Sequence, residues 1–183
     1  MLQVYSGWFF PEGAEASNDF SNIGSEYGVP MGGELVATSE AQNSISILIS
    51  AIKDPKGANL DRVQIVKGWI DEQSQLHERV YDVAWSGDRE TNDNGKLPPV
   101  TNTVDLKSGR YENSVGDESF TVKWIDPDFN VSQKSFYYAR VLEIPTPRNT
   151  LFDSIALQLD GPPRGAKIIQ ERAYSSPIWY HPK

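Results

Sequence analysis

The stretch LDRVQIVKGWIDEQSQLHERVYDVAW, residues 60–85, decides the fold class, because it is typical of two β-strands joined by a polar turn. Its two arms are rich in β-branched and aromatic residues, and the Asp-Glu-Gln-Ser segment at residues 71–74 supplies the turn. Val66 and Ile70 interrupt the strict alternation of the first arm. That interruption indicates either a β-bulge or a strand that is covered on both faces.

The clearest alternation outside this hairpin lies at residues 44–52. Ile45, Ile47 and Ile49 fall on one face and serines fall on the other, which predicts a half-buried strand. Residues 151–159 fit a short helix. Further strand patterns cover residues 4–10, 101–106, 120–125, 136–144 and 168–180, the last with Pro177 at an edge or a bulge.

Together these patterns predict one all-β domain over residues 1–183. We expect a two-sheet β-sandwich of the immunoglobulin-like kind, with long loops and at most one or two short helices. The length suits one well-buried core. Because a strand pattern begins directly after the first methionine, we also expect the chain to be a piece of a longer protein.

Composition excludes several classes of function. The 25 acidic and 17 basic residues give a net charge of −8, which argues against a surface that neutralises nucleic-acid phosphates or anionic lipids. The absence of cysteine rules out disulfides, thiolate nucleophiles and cysteine-ligated metal sites. No apolar run approaches the roughly 20 residues needed to cross a bilayer, so we expect no membrane insertion.

Charged residues interrupt two of the strand regions. Arg140 breaks an apolar face that includes Phe136 and Tyr138, so we expect it to find a carboxylate partner on a neighbouring strand. Asp126 and Asp128 flank a proline and have the composition of a cation site. Carboxylates beside a proline turn are usually exposed, and that is the interpretation we favour.

Catalytic motifs are missing from the sequence. His77 and His181 stand in no H-x-H or H-E-x-x-H spacing, and there is no G-x-S-x-G and no phosphate loop. We therefore predict no catalytic residue, no metal ligand and no cofactor in this chain. A glycosidase-type pair of carboxylates stays open, because its two members can lie far apart in sequence.

A glycine-rich segment, YGVPMGG at residues 27–33, permits two interpretations. It is either a ligand cradle or a loop whose backbone needs positive φ angles. We favour the loop, since neither a phosphate-loop Lys-Ser/Thr nor a helix pattern follows it.

Five tryptophans also permit two interpretations. They form either a sugar-stacking platform on an exposed face or part of the core, and aromatic residues in strands usually belong to the core. The five are Trp8, Trp69, Trp85, Trp124 and Trp179.

Several longer stretches together resemble the C-terminal portion of a bacterial family, that of domain of unknown function 3604. The similarity covers nearly the whole chain. The stretches are YGVPMGGEL at residues 27–35, KDPKGANLDRVQIVKGW at 53–69, VYDVAWSGDR at 80–89, FYYARVLEIPTPR at 136–148 and IQERAYSSPIWY at 169–180.

The resemblance implies a partner that this chain lacks. Members of the family are much longer, and their N-terminal part is similar to the PHP-type metal-dependent phosphoesterase barrel, whose ligands begin near a His-x-His motif. This chain has no such motif, so no metal ligand carries over. The resemblance implies that this chain is the C-terminal fragment of a bacterial parent, for which a periplasmic or exported location is one option. The sequence leaves the compartment and the oligomeric state open.

Three hypotheses follow for function. The leading one is a non-catalytic accessory module of a larger PHP-like hydrolase, packed against the N-terminal barrel of the same polypeptide. The others are an independent glycan- or ligand-binding sandwich and a free-standing enzyme whose site the sequence does not reveal. Under the first, the residues most suited to reach the barrel's active site are Met31, Gly32, Gly33, Asp88, Arg89, Glu143 and Arg148.

Overall fold

The hairpin at residues 60–85 forms as predicted and lies within the larger of two main sheets. The structure is a computed structural model that describes residues 1–37, 44–93, 95–159 and 165–183. In chain order the elements are β1 (Leu2–Gly7), α1 (Phe20–Tyr27), β2 (Gly28–Pro30), β3 (Glu34–Val36), β4 (Ser46–Ile52), β5 (Leu60–Ile70), β6 (Leu76–Trp85), β7 (Ser119–Ile125), β8 (Ser135–Glu143), β9 (Thr146–Pro147), α2 (Asn149–Ala156), β10 (Ile168–Ile169), β11 (Arg172–Tyr174) and β12 (Ile178–His181).

The strand order is that of an immunoglobulin-like sandwich. The smaller main sheet has the order β2-β1-β4-β7, and the larger has the order β3-β12-β8-β5-β6 with β11 beside β8. All pairs in these two sheets are antiparallel except β3 with β12. The predicted all-β sandwich with two short helices is therefore confirmed. None of the described helices is long and apolar enough to span a bilayer.

The core lies between the sheets, where Ile47 and Ile49 of β4 belong to the same buried cluster as Val63 and Ile65 of β5. The prediction that β4 is half-buried was wrong. Leu48, on its other face, is fully buried as well, because α1 and the 3-10 turn Ala14–Ala16 supply a second apolar cluster there. The small serines on that face leave room for this extra layer.

β8 presents the opposite face to the one predicted from its sequence. Tyr137 and Ala139 are buried in the core, while Phe136 and Tyr138 lie half-buried on the outer face of the larger sheet. Arg140 shares that outer face, and its Nε donates to Gln64 Oε1 at 2.7 Å rather than to a carboxylate. Gln64 in turn donates from Nε2 to the carboxylate of Asp82 on β6, so Arg140 is connected to a carboxylate only through Gln64.

Other elements follow the sequence patterns in part. The register of β5 shifts against β8 between Leu60 and Arg62, and its register against β6 skips Val83 of β6, so neither shift lies at Val66 or Ile70. Val66 is 1% exposed and the adjacent Ile65 is 0% exposed, so β5 is covered on both faces at Val66. The closing strand is broken into β11 and β12 around Pro177. Residues 101–106 form a loop instead of the predicted strand. The segment GPPRG at residues 161–165 predicts an exposed turn, and it lies largely outside the described residues.

An ion pair crosses the core at one end of the sandwich. Lys67 of β5 donates from Nζ to Asp126 Oδ2 at 2.6 Å and to the backbone oxygen of Asp128 at 2.7 Å. Tyr137 also donates its hydroxyl to Asp126 Oδ2 at 2.7 Å. The expectation that both aspartates are exposed was therefore wrong for Asp126, which is 3% exposed and follows the last strand of the smaller sheet.

Tyr137 and the backbone of Asp128 complete the surroundings of this pair. Burial and the neighbouring charge of Asp126 raise the pKa of Tyr137 far above its usual value, so the phenol remains a donor at neutral pH. Asp128 donates its backbone N–H to Asp126 Oδ1 at 2.9 Å. Each carboxylate oxygen of Asp126 thus has a partner, which a buried charge requires.

We expect Lys67→Met to lower the free energy of unfolding by roughly 3–5 kcal/mol, because the buried carboxyl group of Asp126 would lose the cation that it pairs with. Urea unfolding measures the loss. Lys56→Met, at an exposed lysine, is the control and should change stability by less than about 0.5 kcal/mol. The double variant Lys67→Met/Asp126→Leu should recover part of the lost free energy of unfolding. If Lys67→Met lowered the free energy of unfolding no more than the control does, the role given to this pair would be contradicted.

Candidate binding surfaces

Arg89 is an internal anchor of the loop that follows β6. Its Nη2 donates to Asp61 Oδ1 at 2.6 Å, and its other nitrogens reach the backbone oxygens of Ser86 and Pro98 at 3.0 Å. The side chain of Asp61 is 1% exposed. The guanidinium therefore holds this loop against β5 and neutralises a buried carboxylate.

Asp61 has two further donors. Arg62 approaches it with Nε at 3.0 Å, and Gln170 donates Nε2 to the same oxygen at 3.0 Å. Gln170 also donates to the backbone oxygen of Glu143 at 3.0 Å. One buried carboxylate thus joins β5, the loop after β6 and the segment before β11, which is a structural arrangement and leaves no acceptor free for a ligand.

Glu143 lies at the same end of the sandwich, beside a cavity of about 340 Å³ that Lys53, Asp54 and Glu171 also line. The side chain is half-buried. Burial raises the pKa of its carboxyl group, and the charges of Glu171 and Asp54 raise it further against the opposing effect of Lys53.

The remaining candidates are divided between this end and one edge. Asp88 is exposed on the loop anchored by Arg89, and Arg148 is the exposed N-cap residue of α2. Met31, Gly32 and Gly33 form a turn at the edge of the sandwich, where Gly32 has a φ of 88° and donates its N–H to the backbone oxygen of Pro177 at 3.0 Å. Backbone geometry therefore accounts for this glycine turn, as favoured from the sequence.

The structure thus brings four sequence candidates to one end of the sandwich, which we call the α2 end. Asp88, Arg89, Glu143 and Arg148 lie there, and Met31–Gly33 does not. Within this group Arg89 is committed to Asp61, Glu143 is half-buried beside a cavity, and Asp88 and Arg148 are exposed.

Helix α2 presents an apolar surface that sequence reasoning did not predict. It buries Leu151, yet four apolar residues on the helix and just after it are 38–67% exposed. We call these residues the α2 patch: Phe152, Ile155, Leu157 and Leu159. The apolar run at residues 151–159 predicted the helix but carried no information about which face would pack.

A second open surface lies on the outer face of the larger sheet. Trp179, Phe136, Gly68 and Glu78 form one cross-strand row, since each is paired in register with the next. A groove of about 540 Å³ runs over this row. We call it the outer groove; its outward-facing residues are Gly68, Ile70, Leu76, Glu78, Lys134, Phe136, Trp179 and His181.

The five tryptophans do not form the platform considered from the sequence. Trp8 packs edge-on against Phe129 and Tyr180, and Trp124 packs against Tyr81. Trp179 lies in the outer groove and is 45% exposed. The centroid of its ring lies 5.3 Å from the ring centroid of Phe136.

Comparison with known proteins identifies the family. The family described as "Protein of unknown function (DUF3604)" matches residues 1–182. The chain belongs to the DUF3604 family. Searches of curated proteins and of solved structures gave no match for this DUF3604 chain.

The described residues of the DUF3604 chain contain no cluster of candidate metal ligands. Over residues 1–37, 44–93, 95–159 and 165–183, no three His, Asp or Glu side chains are grouped so that they could hold a metal ion. The acidic side chains that do lie inside the fold, Asp61 and Asp126, already accept hydrogen bonds from Arg and Lys.

The raised pKa of Glu143 predicts a stability change with a defined sign. A carboxyl group whose pKa is higher in the folded chain binds its proton more tightly there, so it lowers stability as pH rises above its unfolded-state pKa. We expect Glu143→Gln to be more stable than the wild type at pH 7 and the difference to vanish below about pH 4. Thermal unfolding measures it, with the exposed Glu90→Gln as control; equal stability of Glu143→Gln and wild type at pH 7 would contradict the prediction.

Proposed function

We propose that this DUF3604 domain is a non-catalytic accessory domain of a larger PHP-like, metal-dependent hydrolase, and that it packs against the catalytic barrel of that protein through the α2 patch. The proposal takes the barrel from the family resemblance and the surface from the structure. It assigns no catalytic residue and no cofactor to residues 1–183.

The exposure of the α2 patch is the observation that carries the proposal. An eight-residue helix is marginal by itself and depends on tertiary packing of its apolar face. Here Leu151 is 1% exposed, whereas Leu157 is 67% and Phe152 is 47% exposed. Burying such a side chain is worth about 1.5–3 kcal/mol, so a covering domain would gain substantially from this surface.

Charge around the patch favours an acidic partner. Gly109 lies against Phe152, and Lys107 and Arg110 flank that glycine in sequence. Two more basic residues, Arg148 and Lys167, lie together at the start of α2. The backbone N–H of Arg148 donates to the backbone oxygen of Lys167 at 2.9 Å. These four basic residues outnumber the exposed acidic residues of the same segments, Asp105 and Asp153, so the border carries a net positive charge on a chain of net charge −8. Such a border is complementary to an acidic surface, which is what a barrel with carboxylate metal ligands would offer at its mouth.

The position of the sequence candidates supports the same orientation. Asp88 and Arg148 are exposed at the α2 end, and both are free of the buried network that engages Arg89 through Asp61. In the proposed arrangement they face the barrel, while the opposite end, closed by Lys67 and Asp126, faces away from it.

The full-length parent protein tests the proposal. We expect Phe152→Asp/Leu157→Asp to lower the apparent melting temperature of the parent by roughly 5 °C or more, because two apolar side chains lose their cover. The same pair in the 183-residue chain is the first control and should change its melting temperature by less than about 2 °C, since both side chains are already exposed there.

Ile125→Asp in the parent is the second control, since this residue is 53% exposed at the opposite end of the sandwich. It should leave the melting temperature of the parent unchanged. A parent that tolerates the α2 variant as well as it tolerates Ile125→Asp would contradict docking through the α2 patch.

A further inference from the structure

The outer groove owes its depth to one glycine. Gly68 stands in the cross-strand row between Phe136 and Glu78, so the row has no side chain at that point. A Cβ atom at residue 68 would come within 2.3 Å of Phe136 Cζ, which shows that the ring of Phe136 extends over the glycine. The aromatic ring therefore lies low against the sheet and forms a floor instead of a ridge.

Two further aromatic rings, those of Trp179 and Tyr138, lie on either side of the Phe136 ring. The ring centroids of Trp179 and Phe136 are 5.3 Å apart and their planes meet at 53°. Tyr138 lies beyond Phe136 with its ring plane within 6° of the Phe136 plane. The two inclined faces of Trp179 and Phe136 offer a broad apolar surface that solvent reaches.

The border of the groove mixes apolar and polar side chains. Ile70 and Leu76 are 41% and 82% exposed there, and Glu78 and Lys134 are exposed among them. His181 has a 40% exposed side chain, and its Nε2 lies 3.9 Å from Glu34 Oε2. These polar groups provide both donors and acceptors, and charges of both signs, at a few points of the border. Such a rim does not select for phosphate, for a cation or for nucleic acid.

We propose that the outer groove binds a neutral oligosaccharide of pyranose sugars. A pyranose ring has an apolar face of C–H groups and an equator of hydroxyl groups, which match the aromatic floor and the mixed polar rim respectively. The groove volume of about 540 Å³ lies within the roughly 300–1,000 Å³ typical of ligand sites. One sugar stacks on Trp179 and Phe136, and Glu78 and Lys134 hydrogen-bond the hydroxyl groups that project from the stack.

This activity goes beyond the proposed accessory role and uses a different surface. The outer groove lies on the face of the larger sheet, whereas the α2 patch lies at one end of the sandwich. A variant in the groove therefore leaves docking through the α2 patch unchanged, and the failure of one proposal does not decide the other.

Affinity gel electrophoresis of the 183-residue chain tests the proposal. Native gels contain, one at a time, soluble β-glucan, xylan, mannan, galactan, α-glucan and glycol chitin. We expect at least one of these neutral polysaccharides to retard the chain, and Trp179→Ala to weaken that retardation at least tenfold. Glu78→Gln should weaken it about threefold to tenfold, because a hydrogen bond to the sugar becomes weaker while the aromatic floor is kept.

Tyr174→Ala is the matched control. Tyr174 is 53% exposed on the same sheet face, but it does not line the groove. Tyr174→Ala should retain wild-type retardation, and thermal unfolding verifies that both alanine variants are folded. No retardation in any of the six gels, or equal retardation of Trp179→Ala and the wild type, would overturn the proposal.

Discussion

The structure depends on the pairing of one buried ammonium group with one buried carboxylate. A charged lysine in a protein core destabilises the folded state unless an opposite charge pairs with it and its N–H groups form hydrogen bonds. Lys67 meets both conditions with Asp126 and with the backbone oxygen of Asp128. Because Lys67 belongs to the larger sheet and Asp126 follows the last strand of the smaller one, this interaction holds the two layers together at one end.

The same interaction determines which residues reach the outer surface. Side chains alternate along a strand, so an inward Lys67 places Gly68 outward, and a slip of one residue would reverse every position. The ring of Phe136 needs Gly68 beneath it, since a Cβ atom there would overlap the ring. The outer groove is therefore a consequence of the register that the buried ion pair enforces.

Local patterns predicted the strands and helices well, because they arise from neighbouring residues. The hairpin and the short helix near residue 151 are of this kind. The packed face of β8 was not predictable, since both of its faces carry apolar residues and the choice depends on strands far away in the chain. The burial of Asp126 likewise depends on a lysine 59 residues away. Among the site candidates, Asp88, Arg89, Glu143 and Arg148 lie at the α2 end, but nothing local showed that Arg89 is bound to Asp61.

The two open surfaces differ in the chemistry of their borders, and this difference argues for two kinds of partner. The α2 patch is aliphatic and aromatic with basic residues beside it, which suits one acidic protein surface. The outer groove combines inclined aromatic rings with a border that carries apolar side chains and charged groups of both signs, which suits a ligand with an apolar face and neutral hydroxyl groups. The α2 patch lies at one end of the sandwich, whereas the Trp179–Glu78 row crosses the outer face of the larger sheet. In the proposed arrangement, a domain docked by its α2 end therefore keeps the groove open to solvent while it is attached.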